Sequence, residues 1–376
     1  MMSLWKNRGL STLLYPFSWI YGSAMAIRNA RFERDLNRSE ALPACVISVG
    51  NITVGGTGKT PLVISLAEWL QKRGHEVAIL SRGYGRKTPD VLTVSDGHYA
   101  LTDPAVAGDE PVLMASRLDK IPVIVGKDRL SAGQMCIEQY GSKILILDDG
   151  FQHRKIKRNL DIVVIDAMVP FGNRWLLPAG PLREPLKSLA RAHAVILSRT
   201  DLAEGRCDAV VAQIRRHTDA PVFCARHWAK DWVGISIHKT FVLEELCGRF
   251  CLAFSGIGNP DAFQHTLRKI GVEMVGFLRF PDHHQYTEID LNRILRIAEK
   301  RGAVAIVTTE KDGVRIPPVW QPRIPVYALR IEFRLDEGRD TLIRMIEQDE
   351  RFREEHHAEK THHGGGRRKT HPPSRT

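Results

Sequence analysis

The sequence predicts an α/β protein with a P-loop NTPase-type lobe built on a parallel sheet and a second, smaller α/β lobe joined to it by an extended ribbon. Three observations predict this. From Ala44 onward, short aliphatic runs alternate with helical stretches, the pattern of a parallel sheet covered by helices on both faces. Residues 48 to 61, "SVGNITVGGTGKTP", put a glycine-bearing turn between a strand and a helix. The half-apolar stretch "APVFCARHWAKDWVGIS", 220 to 236, then separates two sets of such elements. A chain of 376 residues that is 43% hydrophobic is long enough for two ordinary cores.

Residues 1–38 come first. Within them "LSTLLYPFSWIYGSAMAI", 10 to 27, is apolar or small, with Lys6 and Arg8 before it and Arg28, Arg31 and Arg34 after. A spanning helix is marginal in length, interrupted by Pro16 and cationic at both ends. A signal peptide would deliver a P-loop protein to a place without its nucleotide. A purely structural helix stays open. The preferred reading is an interfacial, aromatic-rich helix with basic flanks, suited to the inner face of a membrane.

Residues 39–219 follow as the P-loop lobe, with strand texts "ACVISVG", "HEVAILS", "DVLTV", "IPVIVG", "KILILDDG", "LDIVVIDA" and "HAVILS". Residues 220–236 read as the ribbon. The smaller lobe, 237–345, holds "FCLAFSGIGNPDAF", "GVEMVGFLRFPDHH", "AVAIVTTEKD" and "IPVYALRIEF". The tail, 346–376, becomes too polar and glycine-rich from about Arg351 to bury a core and reads as disordered and basic. The six cysteines form no C-x-x-C pair and fit a reducing compartment. A net charge of +11 favours an anionic partner without choosing among phosphate, nucleic acid and an acidic membrane.

The turn ends in Gly58-Lys59-Thr60, yet Thr53 occupies the slot where G-x-x-x-x-G-K-[ST] begins with glycine. Gly55, Gly56 and Gly58 still allow an anion nest at a helix N-terminus, and Pro61 in the first turn costs little. Nucleotide binding is therefore expected at Thr53, Gly55, Gly56, Thr57, Gly58, Lys59 and Thr60. The partitioning-ATPase variant K-G-G-x-G-K-[ST] would put its first lysine on Val54, and a GTPase [NT]-K-x-D is matched no better than by "TTEKD" at 308 to 312, so both classes are disfavoured. "KILILDDGFQHR" supplies Asp148 and Asp149 at a strand end, as a Walker B run holding magnesium would.

Taken in order, "VGNITVGGTGKTP", "LSRGYGR", "GDEP", "LDDGFQHR", "LLPAGPLREP", "FSGIGNP", "FPDHHQYT" and "VTTEKD" closely resemble the tetraacyldisaccharide 4'-kinase family of lipid A biosynthesis, from about Leu10 to Phe333. That family shares the threonine in the first P-loop slot. The resemblance implies a monotopic enzyme on the cytoplasmic face of the bacterial inner membrane. Such an enzyme moves the γ-phosphate of ATP to the 4'-hydroxyl of a tetraacylated glucosamine disaccharide 1-phosphate.

It implies Lys59 on the β/γ-phosphates, Thr60, Asp148, Asp149 and Glu184 around Mg²⁺, and Asp109 paired with His283 as the catalytic base. Arg82, Tyr84 and Arg86 of the glycine-rich loop, and Arg129, are candidates for an anionic sugar phosphate. Gln152, His153 and Arg183 lie inside motifs without an individual role. Neither a nucleic acid nor an obligate protein partner is expected. The rival from another class is a P-loop switch or partitioning ATPase acting on a protein.

Overall fold

The structure, a computed structural model, describes residues 12–35, 38–83, 86, 90–99, 101–203, 205–237 and 239–349. Tyr84 and the tail beyond 350 lie outside the described residues.

The first element is helix α1 (Tyr15–Arg34), started by Pro16 in its first turn and ended with Arg31 and Arg34 against its negative end. The P-loop lobe then runs β1 (Cys45–Gly50), α2 (Lys59–Lys72), β2 (Val77–Ser81), β3 (Leu92–Ser95), α3 (Pro104–Ala107), α4 (Asp109–Arg117), β4 (Val123–Val125), α5 (Arg129–Tyr140), β5 (Ile144–Asp148), β6 (Leu160–Asp166), β7 (Ala194–Ser198) and α6 (Cys207–Arg215). Strands β1, β2, β5, β6 and β7 are buried at every residue. That is why their sequences are continuous aliphatic runs: helices cover both faces, so neither face selects polar residues. Leu62, Leu66 and Leu70 of α2 fill one face, and Phe151, Leu189 and Ile214 the other.

The ribbon text forms one long strand, β8 (Val222–Gly234), followed by β9 (Thr240–Phe241), β10 (Phe250–Ser255), α7 (Pro260–Lys269), β11 (Glu273–Arg279), α8 (Glu288–Lys300), β12 (Ala305–Thr309), α9 (Glu310–Gly313) and β13 (Val326–Leu335). A last helix, α10, covers 339–349. The strand order is β11-β10-β12-β13-β8-β7-β6-β1-β5-β2-β4-β3. The start of β8 pairs parallel with β7, and the rest pairs antiparallel with β13. One strand thus carries the sheet of the P-loop lobe into that of the smaller lobe.

Helix α10 returns to the P-loop lobe, where Leu342, Ile343 and Ile346 join the core of α2. A boundary at 345 would cut this helix, so we propose ending the smaller lobe near residue 335.

The lobes also meet through reciprocal charges on two short helices. Arg117 of α4 pairs with Glu310 of α9 at 2.8 Å, and Glu110 of α4 pairs with Lys311 of α9 at 3.1 Å. The first pair is nearly shut off from solvent, so removing one member costs roughly 3–5 kcal/mol.

Candidate active site at the carboxyl end of the sheet

The phosphate loop is built by local backbone needs. Residues Ile52 to Val54 run beside the segment 181–183, with Val54 N–H donating to Pro181 and Arg183 N–H to Ile52. Thr53 is therefore part of an extended bridge to Leu182, where a β-branched residue suits the backbone and glycine offers no advantage. Gly58 is different. Its φ of 91° is left-handed, and a Cβ there would lie 2.7 Å from His227 Nε2. Asn51 Nδ2 donates to Thr57 Oγ1 at 3.2 Å, bracing the loop from within.

Lys59 opens α2, and its ammonium lies 3.4 Å from Asp149. Asp149 follows β5 in a left-handed turn, φ 51°, and also accepts two 2.9 Å bonds from Arg183. Burial works to raise the Asp149 pKa, but Lys59 and Arg183 outweigh it and hold the carboxyl well below its usual range. Asp148 has the opposite setting. Its carboxylate is buried, one oxygen accepts from Ser81 Oγ at 2.9 Å, and the other, Oδ1, has no hydrogen-bond partner among the described residues. Burial, with Glu110 and Asp149 nearby, pushes its pKa up to about 7.

Asp109 begins α4 and is buried. Its Oδ2 lies 2.9 Å from His283 Nδ1 and 2.8 Å from Arg315 Nε, both in the smaller lobe. Burial raises the Asp109 pKa, yet the His283 hydrogen bond and the Arg315 charge outweigh it, so the carboxyl is held below its ordinary value. On the far side of the imidazole, Lys311 Nζ lies 3.2 Å from His283 Nε2. An ammonium there donates to Nε2, which leaves the ring proton on Nδ1, facing Asp109. Arg315 is fixed in turn by Asp312 and by the carbonyls of Gly256 and His284.

The remaining sequence candidates divide. Arg82 is exposed, while Arg86 is half-buried and donates toward the Val125 carbonyl. Arg129 is buried and donates to the Asp148 carbonyl at 2.9 Å, so it shapes the β5 turn from below.

Glu184 is fully buried and accepts from Arg191 at 2.8 Å, Asn29 at 3.0 Å and Gln152 at 3.1 Å. Those bonds tie α1 to the loop after β5, and they occupy the carboxylate that the resemblance assigns to metal. Glu110, Lys311, Arg315 and Arg183 join the site although sequence reasoning gave them no role. For Glu110, Lys311 and Arg183 the only signal was membership of the "GDEP", "TTEKD" and "LREP" motifs; Arg315 lies three residues beyond "TTEKD" and carried none.

A phosphate nest, two strand-end aspartates with opposite proton affinities and an aspartate–histidine pair spanning two lobes describe a phosphotransferase. Residues 10–349 match the family model for tetraacyldisaccharide-1-P 4'-kinase. The chain belongs to that family. It is an ATP-dependent kinase of the tetraacyldisaccharide 4'-kinase type.

The chain is 42% identical over 350 residues to the tetraacyldisaccharide 4'-kinase of Syntrophus aciditrophicus, covering 88% of this chain and 93% of that one. It is 41% identical to that of Anaeromyxobacter sp. (strain Fw109-5), covering 91% and 94%. LpxK from Aquifex aeolicus, solved in complex with ATP, superposes with a TM-score of 0.76 at 33% identity, covering 90% of this chain and 99% of that one. Among tetraacyldisaccharide 4'-kinases this chain is therefore matched over both lobes.

Proposed function

We propose that the protein transfers the γ-phosphate of ATP to the 4'-hydroxyl of a tetraacylated glucosamine disaccharide 1-phosphate at a membrane surface. The observation that carries this reading is the Asp109–His283 contact of 2.9 Å. It joins a buried carboxylate of the P-loop lobe to an imidazole of the smaller lobe, the pairing a base for the acceptor hydroxyl needs.

Lys59 and the loop N–H groups hold the β- and γ-phosphates, and the N-terminus of α2 adds its partial positive charge. The acceptor hydroxyl gives its proton to the Asp109 carboxylate as its oxygen bonds to the γ-phosphorus. The bond from that phosphorus to the β,γ-bridging oxygen breaks, and ADP leaves. A carboxylate held below its ordinary pKa is a weak base. That suffices, because phosphoryl transfer through a loose transition state asks for little nucleophile activation before the P–O bond has largely broken. His283, donating from Nδ1, keeps Asp109 ionised and aimed until then. Arg82 and Arg86 would meet the anionic 1-phosphate.

Magnesium fits the residues present. Asp148 Oδ1 is buried without a hydrogen-bond partner among the described residues, an arrangement that a divalent cation would satisfy. Asp148, with Thr60 and Asp149, would hold Mg²⁺, which supplies charge neutralisation on the phosphate oxygens when bound. Among the described residues no cluster of three carboxylate, imidazole or thiolate groups stands ready for a metal.

Helix α1 supports the membrane part of the proposal. Its polar and small residues face the protein: Ser18 bonds to Leu176 and Ala179, Tyr21 to Arg183, and Asn29 to Glu184. Phe17, Trp19 and Ile20 point outward, with 58%, 71% and 67% of their surface exposed. This reverses the usual orientation of an amphipathic helix and suits insertion into the headgroup boundary. Among the described residues no helix is long and apolar enough to cross a membrane; the outward aromatic face is what supports placing α1 in the interface.

Transfer of label from γ-labelled ATP to a detergent-solubilised tetraacyldisaccharide 1-phosphate tests the proposal. Absence of transfer by folded protein overturns it.

A further inference from the structure

The two groups that reach Asp109 from the smaller lobe close on the same atom. His283 Nδ1 lies 2.9 Å and Arg315 Nε 2.8 Å from Oδ2. Oδ1 receives no hydrogen bond from any described residue. A carboxylate oxygen has two lone pairs, so one already enclosed by an imidazole and a guanidinium has no place for a third donor. Oδ1 is the atom left for the proton of the acceptor hydroxyl.

The two contacts are held differently. His283 sits in a turn at a left-handed φ of 59°, with its side chain 36% exposed. The Arg315 side chain is shut from solvent. Its Nη1 donates to the carbonyls of Gly256 at 3.1 Å and His284 at 3.3 Å, and to Asp312 Oδ1 at 3.3 Å. Asp312 is pinned in turn: Oδ1 accepts from the Gly256 N–H at 2.9 Å and from Tyr286 Oη at 2.8 Å, and Oδ2 from Thr309 Oγ1 at 2.6 Å. The guanidinium can leave Asp109 only by breaking this buried network. Its Nε and Nη2 make no aligned hydrogen bond among the described residues, so it acts on the carboxylate as a fixed positive charge.

We propose that Arg315 is a positioning residue for phosphoryl transfer: anchored by Asp312, it holds Oδ2 of Asp109 and so presents Oδ1 to the acceptor hydroxyl. In that step the hydroxyl O–H bond breaks and its proton goes to Oδ1. The freed oxygen bonds to the γ-phosphorus, and the β,γ-bridging oxygen leaves with ADP. This rests on the kinase reading above, in which Asp109 is the base.

A double-variant cycle tests it, with label transfer from γ-labelled ATP to a micellar tetraacyldisaccharide 1-phosphate and ATP titration of the same preparations. Arg315→Met should lower kcat by about tenfold to a hundredfold, within what a general base supplies. Its ATP affinity should stay nearly unchanged, which also shows that the variant is folded. In the Asp109→Asn background the same substitution should lower kcat less than about twofold, because there is no longer a base to aim. Arg315→Lys keeps the charge and should retain more of kcat than Arg315→Met; it carries the cycle if the methionine variant does not fold. Equal losses in both backgrounds make Arg315 a structural residue only and overturn the proposal, as does an unchanged kcat in Arg315→Met. Native kcat in Asp109→Asn overturns instead the base on which the proposal rests.

Discussion

Asp109 and His283, 174 residues apart in sequence, meet through a 2.9 Å contact between Oδ2 and Nδ1. Arg315 lies on the same carboxylate oxygen and Lys311 on the opposite ring nitrogen. The cluster draws on both lobes, and each of its parts can be removed separately.

If Asp109 takes the proton, Asp109→Asn should lower kcat strongly and leave the ATP dissociation constant nearly unchanged, because the amide keeps the shape and loses the basicity. His283→Ala should be milder, and the double variant little worse than Asp109→Asn, since the two act as one unit. Steady-state kinetics and ATP titration on the same preparations check this. A collapse of lipid affinity with kcat preserved would make Asp109 a binding residue.

Lys59→Ala should cut turnover by orders of magnitude without unfolding the protein, because Asp149 keeps its two bonds from Arg183. Circular dichroism and thermal unfolding supply the fold control. Most of the activity surviving in a folded variant would contradict the role assigned to the loop.

Phe17→Ser with Trp19→Ser should move the protein from anionic vesicles to the supernatant in a sedimentation assay. The change in stability should stay within about 0.5 kcal/mol, as both side chains are mostly exposed. Undiminished vesicle binding would make α1 a structural element only.

His227 carries the pH prediction. Burial first, then the Arg199 charge, holds its pKa down to about 3, against about 6.5 unfolded. The unfolded chain therefore binds the extra proton between those values, and stability falls as pH drops through this window. The contribution lost between pH 7 and pH 5 is up to about 2 kcal/mol. His227→Gln should shrink the gap between urea midpoints at the two pH values, and an unchanged gap would falsify the assignment. His153, held to about 4, contributes to both proteins alike.

The fold was legible because its signals are local. Aliphatic runs in β1, β5 and β7, and the order strand, glycine turn, Lys59-Thr60, need no knowledge of distant contacts. Contacts across the lobes left no such mark: nothing near Lys311 or Arg315 in sequence points to Asp109. Glu184 reads as a metal ligand by motif, while its three hydrogen bonds appear only once α1 has docked. Helix α1 was found by composition, but its outward apolar face is set by what Ser18 and Asn29 bind.

The most direct test of the central claim is to follow label from γ-labelled ATP in a mixed micelle containing the tetraacyldisaccharide 1-phosphate. The account predicts label in the lipid at the 4' position, dependent on the protein and lost in Lys59→Ala. Label appearing only as inorganic phosphate, with none in the lipid, would contradict it.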